Sequence, residues 1–201
     1  MPRLLGITGN IATGKTTIGR MLLELGAARY IDADAIVHDL YRPGESIYEA
    51  VVQSFDPQIL TPEGEIDRKA LGEIVFHDGE QLRRLEAITH PAVTAAVAAQ
   101  IMAAPSDAVV VIDAVKLLEG GTGKLCEAVW LIVCDLNEER RRLIADRGMS
   151  VAEADARLAA QPDNDARRPL VSEIIDNSGD ISATRLQVQS AWERFLARQQ
   201  N

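Results

Sequence analysis

The chain has 201 residues, 47% hydrophobic and 25% charged, which suits one ordinary domain or a core domain with small insertions and can bury a sizeable core. Mean hydropathy is −0.03 and no apolar run approaches ~20 residues, which excludes a membrane span; the apolar run after Met1-Pro2-Arg3 is too short for a signal peptide, so the expected location is the cytoplasm. Lys plus Arg number 21 against 30 Asp plus Glu, a net charge of −9 that argues against general binding to duplex nucleic acid or anionic membrane.

The hydrophobic segments alternate between short and long periods in a β-α-β-α pattern. Arg3 to Thr8 is a short apolar run ending at Gly9, and from Lys15 to Gly26 the residues Ile18, Met21, Leu22 and Leu25 recur at helical spacing. A second strand, Arg29-Tyr30-Ile31, ends in Asp32-Ala33-Asp34, with a helix from Ala35 to Leu40. Roughly 70 residues then separate it from the third strand, far more than an ordinary crossover needs. Within them Ser46 to Phe55, Arg68 to Phe76, Glu80 to Ile88 and Ala92 to Met102 read as helices, with His90-Pro91 as punctuation between the last two. Ala108 to Ile112, ended by Asp113, and Ala128 to Cys134, ended by Asp135, are continuous apolar strands of the kind a parallel sheet buries on both faces. Asn137 to Asp146 and Val151 to Gln161 form a helix pair, the second opened by a capping box of Ser150 and Glu153. Ile174-Ile175 and a closing helix from Ile181 to Arg198 complete the chain. The two cysteines, Cys126 and Cys134, form neither a disulfide framework nor a zinc-ligand spacing.

Gly9-Asn10-Ile11-Ala12-Thr13-Gly14-Lys15-Thr16 matches G-x-x-x-x-G-K-[ST] between a strand and an amphipathic helix, the frame the motif requires. Glycines let the loop amides turn inward around phosphates, and the helix N-terminus adds about half a positive charge. Lys15 is placed to reach the β- and γ-phosphates and Thr16 to hold magnesium, with Thr17 beside it. The fold this implies is α/β: a P-loop NTPase core of five parallel strands flanked by helices. Its segments are 1–41, 105–136 and 170–201, with a helical insertion at 42–104 and a helical lid at 137–169.

Asp32 and Asp34 fall at the carboxyl end of the second strand, where doubly wound sheets bind ligands. Two readings stand side by side: one carboxylate accepts a hydroxyl proton, or one of them, Asp34 first, only caps the helix starting at Ala35. Asp113 either holds magnesium through water or simply ends its strand. Arg140, Arg141, Arg142 and Arg147 lie on or just beyond the first lid helix, with Arg157, Arg167 and Arg168 further on. Glu138 and Glu139 are spaced to pair with Arg142, so most of the cluster reads as a solvated face with one or two arginines for the nucleotide. His90 reads as a residue at a helix start, with Pro91 in the first turn.

These residues together resemble the dephospho-coenzyme A kinases over nearly the whole chain. The resemblance rests on Gly6-Ile7-Thr8-Gly9 and the phosphate loop, Asp32-Ala33-Asp34 with Ile36 and His38, and Ile66-Asp67-Arg68-Lys69-Ala70-Leu71-Gly72 with Val75-Phe76. His90-Pro91, Arg157-Leu158-Ala159-Ala160-Gln161 and Ile175-Asp176-Asn177 complete it. It implies magnesium-dependent transfer from ATP to the ribose 3′-hydroxyl of dephospho-coenzyme A, with Asp34 as base. It further implies Thr8, Asp32, Arg68 and His90 toward the acceptor, Asn177 near the adenine, and a lid arginine on the phosphates. Three departures stand out: Asp113-Ala114-Val115-Lys116-Leu117-Leu118-Glu119-Gly120 where the family has D-x-P-L-L-F-E, Asp146-Arg147 where the lid commonly has Arg-Asp, and Val171-Ser172 in place of Ala-Asp. The lid arginine is therefore Arg147, shifted by one position, or Arg142. Two rivals share the motif: another small-molecule or nucleoside monophosphate kinase of this fold, and a nucleotide-gated binding module.

Overall fold

The computed structural model describes residues 1–76, 78–119 and 121–198; Gly120, quoted above, lies outside them. Two compact units form, residues 1–31 with 104–201, and residues 32–103. The first is built on a five-stranded sheet of β1 (Arg3–Thr8), β2 (Arg29–Asp32), β3 (Val109–Asp113), β4 (Ala128–Val133) and β5 (Glu173–Asp176), in the order β2-β3-β1-β4-β5. β1 runs parallel to β3 and β4, and β4 parallel to β5.

Every residue of β1 and of β3 is buried, which explains their unbroken apolar runs: both faces need covering. On one face Leu5, Ile7, Val109, Val111, Trp130 and Ile132 pack against Ile18, Met21 and Leu22 of α1 (Lys15–Glu24) and Val188, Trp192 and Phe195 of α9 (Ile181–Ala197). Alternate residues Leu4, Val110, Ile112 and Leu131 are buried on the other. Each such side chain contributes about 1.5–3 kcal/mol on leaving water. The connection after β4 carries α6 (Leu136–Ala145), α7 (Val151–Ala159) and the single turn α8 (Asn164–Arg167). The capping box at Ser150 and Glu153 is formed in both directions.

The second unit contains α2 (Ala33–Leu40), α3 (Tyr48–Phe55), α4 (Arg68–Phe76) and α5 (Gly79–Met102). Its own core gathers Tyr41, Ile47, Val51, Phe55, Ile59, Ile66 and Leu71, with Leu85, Ile88 and Ala92 packed against it. Here the structure corrects the expected break at His90-Pro91. α5 is one helix of 24 residues with Pro91 inside it, so His90 is a mid-helix residue and not a helix start. Proline removes one helical hydrogen bond, to the Ala87 carbonyl, at a cost of about 3 kcal/mol. Burial of Leu85, Ile88 and Ala92 on both sides of it, and of Val97 and Ile101 beyond, outweighs that cost. Pro91→Ala therefore raises the thermal unfolding midpoint, by a stability gain of about 1–3 kcal/mol; an unchanged or lower midpoint would show that the packing needs the proline.

Candidate active site

The phosphate loop lies between β1 and α1 and needs three left-handed backbone positions, Gly9 at φ 152°, Ala12 at φ 63° and Gly14 at φ 93°. At Gly14 any side chain would also collide with the Asn177 amide. Ala12 adopts this conformation without being glycine, at a cost of about 1–2 kcal/mol, so the surroundings must impose it. They do so on several loop residues. Asn10 Nδ2 donates to the Pro162 carbonyl (3.3 Å), the Ile11 amide to Gln161 Oε1 (3.0 Å), Arg142 Nη1 to the Ala12 carbonyl (3.0 Å) and Asn177 Nδ2 to the Thr13 carbonyl (2.7 Å).

Within the loop, Lys15 Nζ donates to the Gly9 and Asn10 carbonyls (3.0 and 3.2 Å), and Thr13 Oγ1 to the Asn10 carbonyl (2.9 Å). The Gly14 carbonyl takes the Thr17 and Ile18 amides, and helix geometry leaves the Lys15 and Thr16 amides without intrahelical acceptors. Thr16 is exposed at this helix start. Asn177 is buried and engaged at both ends of its side chain, donating to Thr13 and accepting from Thr184 Oγ1 (3.0 Å). Its direct role is therefore to clamp the loop. Thr8 is buried, its hydroxyl donating to the Val115 carbonyl (3.0 Å).

The two candidate lid arginines lie in different surroundings. Arg142 reaches from α6 to the loop at Ala12 and to the Asn177 carbonyl (3.1 Å), while its Nε donates to Glu138 (2.9 Å). Arg147 is exposed and forms no ion pair or hydrogen bond among the described residues. Glu138 holds both Arg141 and Arg142, and the Arg141 hydrogen bond is the main reason its carboxyl sits down at about 2. The pairing expected of Glu139 does not form: that residue is turned inward and buried. Arg140 pairs with Asp155 and Arg168 with Asp165, as expected of a solvated face.

Asp113 does not follow its strand but is the buried last residue of β3, accepting the Tyr30 hydroxyl at 2.5 Å. In the second unit the aspartate pair divides its roles. α2 starts at Ala33, and Asp32 is its cap, accepting the Ala35 amide at 2.8 Å. Asp34 is thus not the cap; it stands in the first turn, four residues before His38. Arg68, the first residue of α4, sets its guanidinium against both His38 ring nitrogens (Nη1–Nε2 2.9 Å). Burial first, and Arg68 second, pull the His38 pKa below its ordinary value, against the opposing pull of Asp34, Asp32 and Asp39. A neutral imidazole can accept from Arg68 without cancelling its charge. His90 is exposed on α5.

The dephospho-CoA kinase family profile matches residues 3–183. The chain belongs to the dephospho-CoA kinase family. The dephospho-CoA kinase of Symbiobacterium thermophilum is 45% identical over 94% of this chain and 80% of that protein. Among solved structures, TT1252 from Thermus thermophilus is similar with a TM-score of 0.84 at 28% identity, covering 97% of this chain and 98% of that one. The dephospho-CoA kinase from Campylobacter jejuni gives a TM-score of 0.59 at 27% identity, covering 96% and 97%.

The motifs shared with dephospho-CoA kinases point to the loop, Asp34 and Arg68. They include Gln161 but do not show its contact with the Ile11 amide or that of Arg167 with Asn10, which join residues 150 and 157 positions apart, and they do not single out Glu139. Burial pushes Glu139 up to about 7, against the pull of Lys15 and Arg142. A carboxyl that keeps its proton to higher pH when folded makes the folded state lose stability as pH rises, here from about 4.5 to about 7. Glu139→Gln removes this loss, which is at most about 3 kcal/mol. Thermal unfolding at about pH 5 and about pH 7.5 checks it: the midpoint drop is smaller in the variant than in the parent, and equal drops would refute the assignment.

Proposed function

We propose that this chain transfers the γ-phosphoryl group of ATP to the ribose 3′-hydroxyl of dephospho-coenzyme A, forming coenzyme A and ADP. The observation that carries this reading is the family match, which spans both compact units and so includes Asp34 and Arg68 as well as the phosphate loop.

Phosphoryl transfer asks the protein for position and charge more than for covalent chemistry. The loop amides and the N-terminus of α1 hold the phosphates, and Lys15 adds a positive charge. Arg142 is the lid arginine for the transferring group, and Arg68 a cation for an acceptor phosphate. Asp34 accepts the hydroxyl proton as the new O–P bond forms and the bond to the β–γ bridging oxygen breaks, its electrons leaving with ADP. Thr8, Asp32 and His90 belong to the acceptor side, and Asn177 places the loop beside the adenine.

Magnesium would suit the donor set: Thr16 offers an exposed hydroxyl oxygen, a hard ligand, at the start of α1, while Asp113 uses its Oδ2 to accept the Tyr30 hydroxyl. Held there, magnesium would supply positive charge against the charge that develops on the phosphates during transfer. No helix among the described residues is long and apolar enough to cross a membrane; we place the enzyme in the cytoplasm, acting on these two small molecules and on no nucleic acid.

The test is a coupled assay with magnesium-ATP, offering dephospho-coenzyme A beside AMP, CMP and pantetheine phosphate. Transfer to dephospho-coenzyme A alone is the expected result. Transfer only to a monophosphate would make the chain a different kinase of this fold. ATP binding with slow hydrolysis and no transfer would make it a nucleotide-gated module.

A further inference from the structure

We propose that Arg167 is a positioning residue for phosphoryl transfer, fixing the first half of the phosphate loop against the segment that follows β3. The proposal rests on the kinase reading above and adds a residue that reading does not use.

Arg167 closes α8 and is 3% exposed, which is rare for arginine outside a built arrangement. Its fork reaches three acceptors. Nη1 donates to Asn10 Oδ1 at 3.3 Å; Nη2 donates to the Val115 carbonyl at 2.7 Å and to Glu119 Oε1 at 2.8 Å. The Val115 carbonyl also takes the Thr8 hydroxyl from the end of β1. Asn10 is meanwhile held on its amide side by the Pro162 carbonyl, and Ile11 by Gln161. Residues 161–167 therefore grip the loop at two successive positions, and Arg167 alone among them continues to the chain after β3.

Two features argue against a role in stability alone. Glu119 is half exposed, so its ion pair with Arg167 is screened and weak as a staple. The Arg167 Nε is buried with no hydrogen-bond partner, an unfavourable placement that an apolar side chain would avoid. What the arginine supplies that an apolar residue cannot is direction: a rigid planar fork joining Asn10 to the Val115 carbonyl. Rate in phosphoryl transfer is sensitive to such placement, since errors near 1 Å can cost about a hundredfold.

The experiment measures ATP affinity by equilibrium binding, and steady-state transfer to dephospho-coenzyme A, in the parent chain and in Arg167→Met, Arg167→Lys, Asn10→Ala and Arg167→Met/Asn10→Ala. Transfer by the parent chain tests the kinase reading independently of any variant. If Arg167 positions the loop, Arg167→Met lowers kcat by about tenfold to a hundredfold, with ATP affinity changed by less than about threefold. Arg167→Lys keeps the charge beside Glu119 but loses the fork, and it recovers less than half of the lost rate. In the double variant the kcat loss falls short of the product of the single losses, because both remove the same bond. The proposal is overturned if kcat per folded molecule stays within about twofold of the parent, if lysine restores it, or if the two losses multiply. Circular dichroism at the assay temperature gives the folded fraction, so that a variant that merely unfolds is counted against the proposal.

Discussion

Replacing Asp34 by asparagine lowers kcat for transfer to dephospho-coenzyme A by about two to four orders of magnitude and leaves ATP affinity nearly unchanged. Asp32 carries the cap of α2, so the helix start survives intact. Within α2 the substitution removes one negative charge from the first turn, a cost of about 0.3–1 kcal/mol. Asparagine keeps the shape and loses the ability to take a proton. Removing the Asp34 charge also takes away one influence that raises the His38 pKa, so the His38 pKa moves further down. Steady-state kinetics with equilibrium ATP binding measure the split; a rate within about threefold of the parent would remove Asp34 from the chemistry.

Lys15→Ala has a broader effect, lowering kcat/KM by about two to four orders of magnitude through affinity and rate together. Lys15 Nζ is already a structural element of the loop, tied to the Gly9 and Asn10 carbonyls. Its loss removes the cation proposed for the phosphates and also unties the turn held at the Gly9 and Asn10 carbonyls. Single-turnover transfer at saturating ATP separates the two consequences. If saturating ATP restored the parent rate, the lysine would hold the ground state only, and its charge would have no part in the transition state.

The sheet, the phosphate loop and most helices were legible because their signals are local: β-branched runs ended by aspartate, a glycine-bounded loop before an amphipathic helix, a capping box at Ser150. Pro91 misled because a local breaker was weighed without the core on both sides of it. The capping role assigned first to Asp34 shifted by two residues because the helix starts at Ala33, a boundary that one hydrogen bond from Ala35 decides. The choice between Arg142 and Arg147 could not be made from spacing. Distance is what favours Arg142 for the proposed lid role: its guanidinium reaches the Ala12 carbonyl, whereas Arg147 forms no ion pair or side-chain hydrogen bond among the described residues. Gln161 and Asn177 were legible as motif residues, but their contacts with the Ile11 amide and the Thr13 carbonyl, and that of Arg167 with the Asn10 side chain, were not, because each joins residues more than 140 positions apart.

The left-handed Ala12 links nucleotide affinity to the folding of α6. Because Arg142 holds the Ala12 carbonyl from α6, the unfavourable backbone state of the loop and the docking of that helix form one thermodynamic quantity. A fluctuation that frees α6 relaxes the loop, and phosphate held in the loop stabilises α6 by the same amount. Stabilising substitutions confined to α6, far from any phosphate, can thereby tighten nucleotide binding without adding a contact to it.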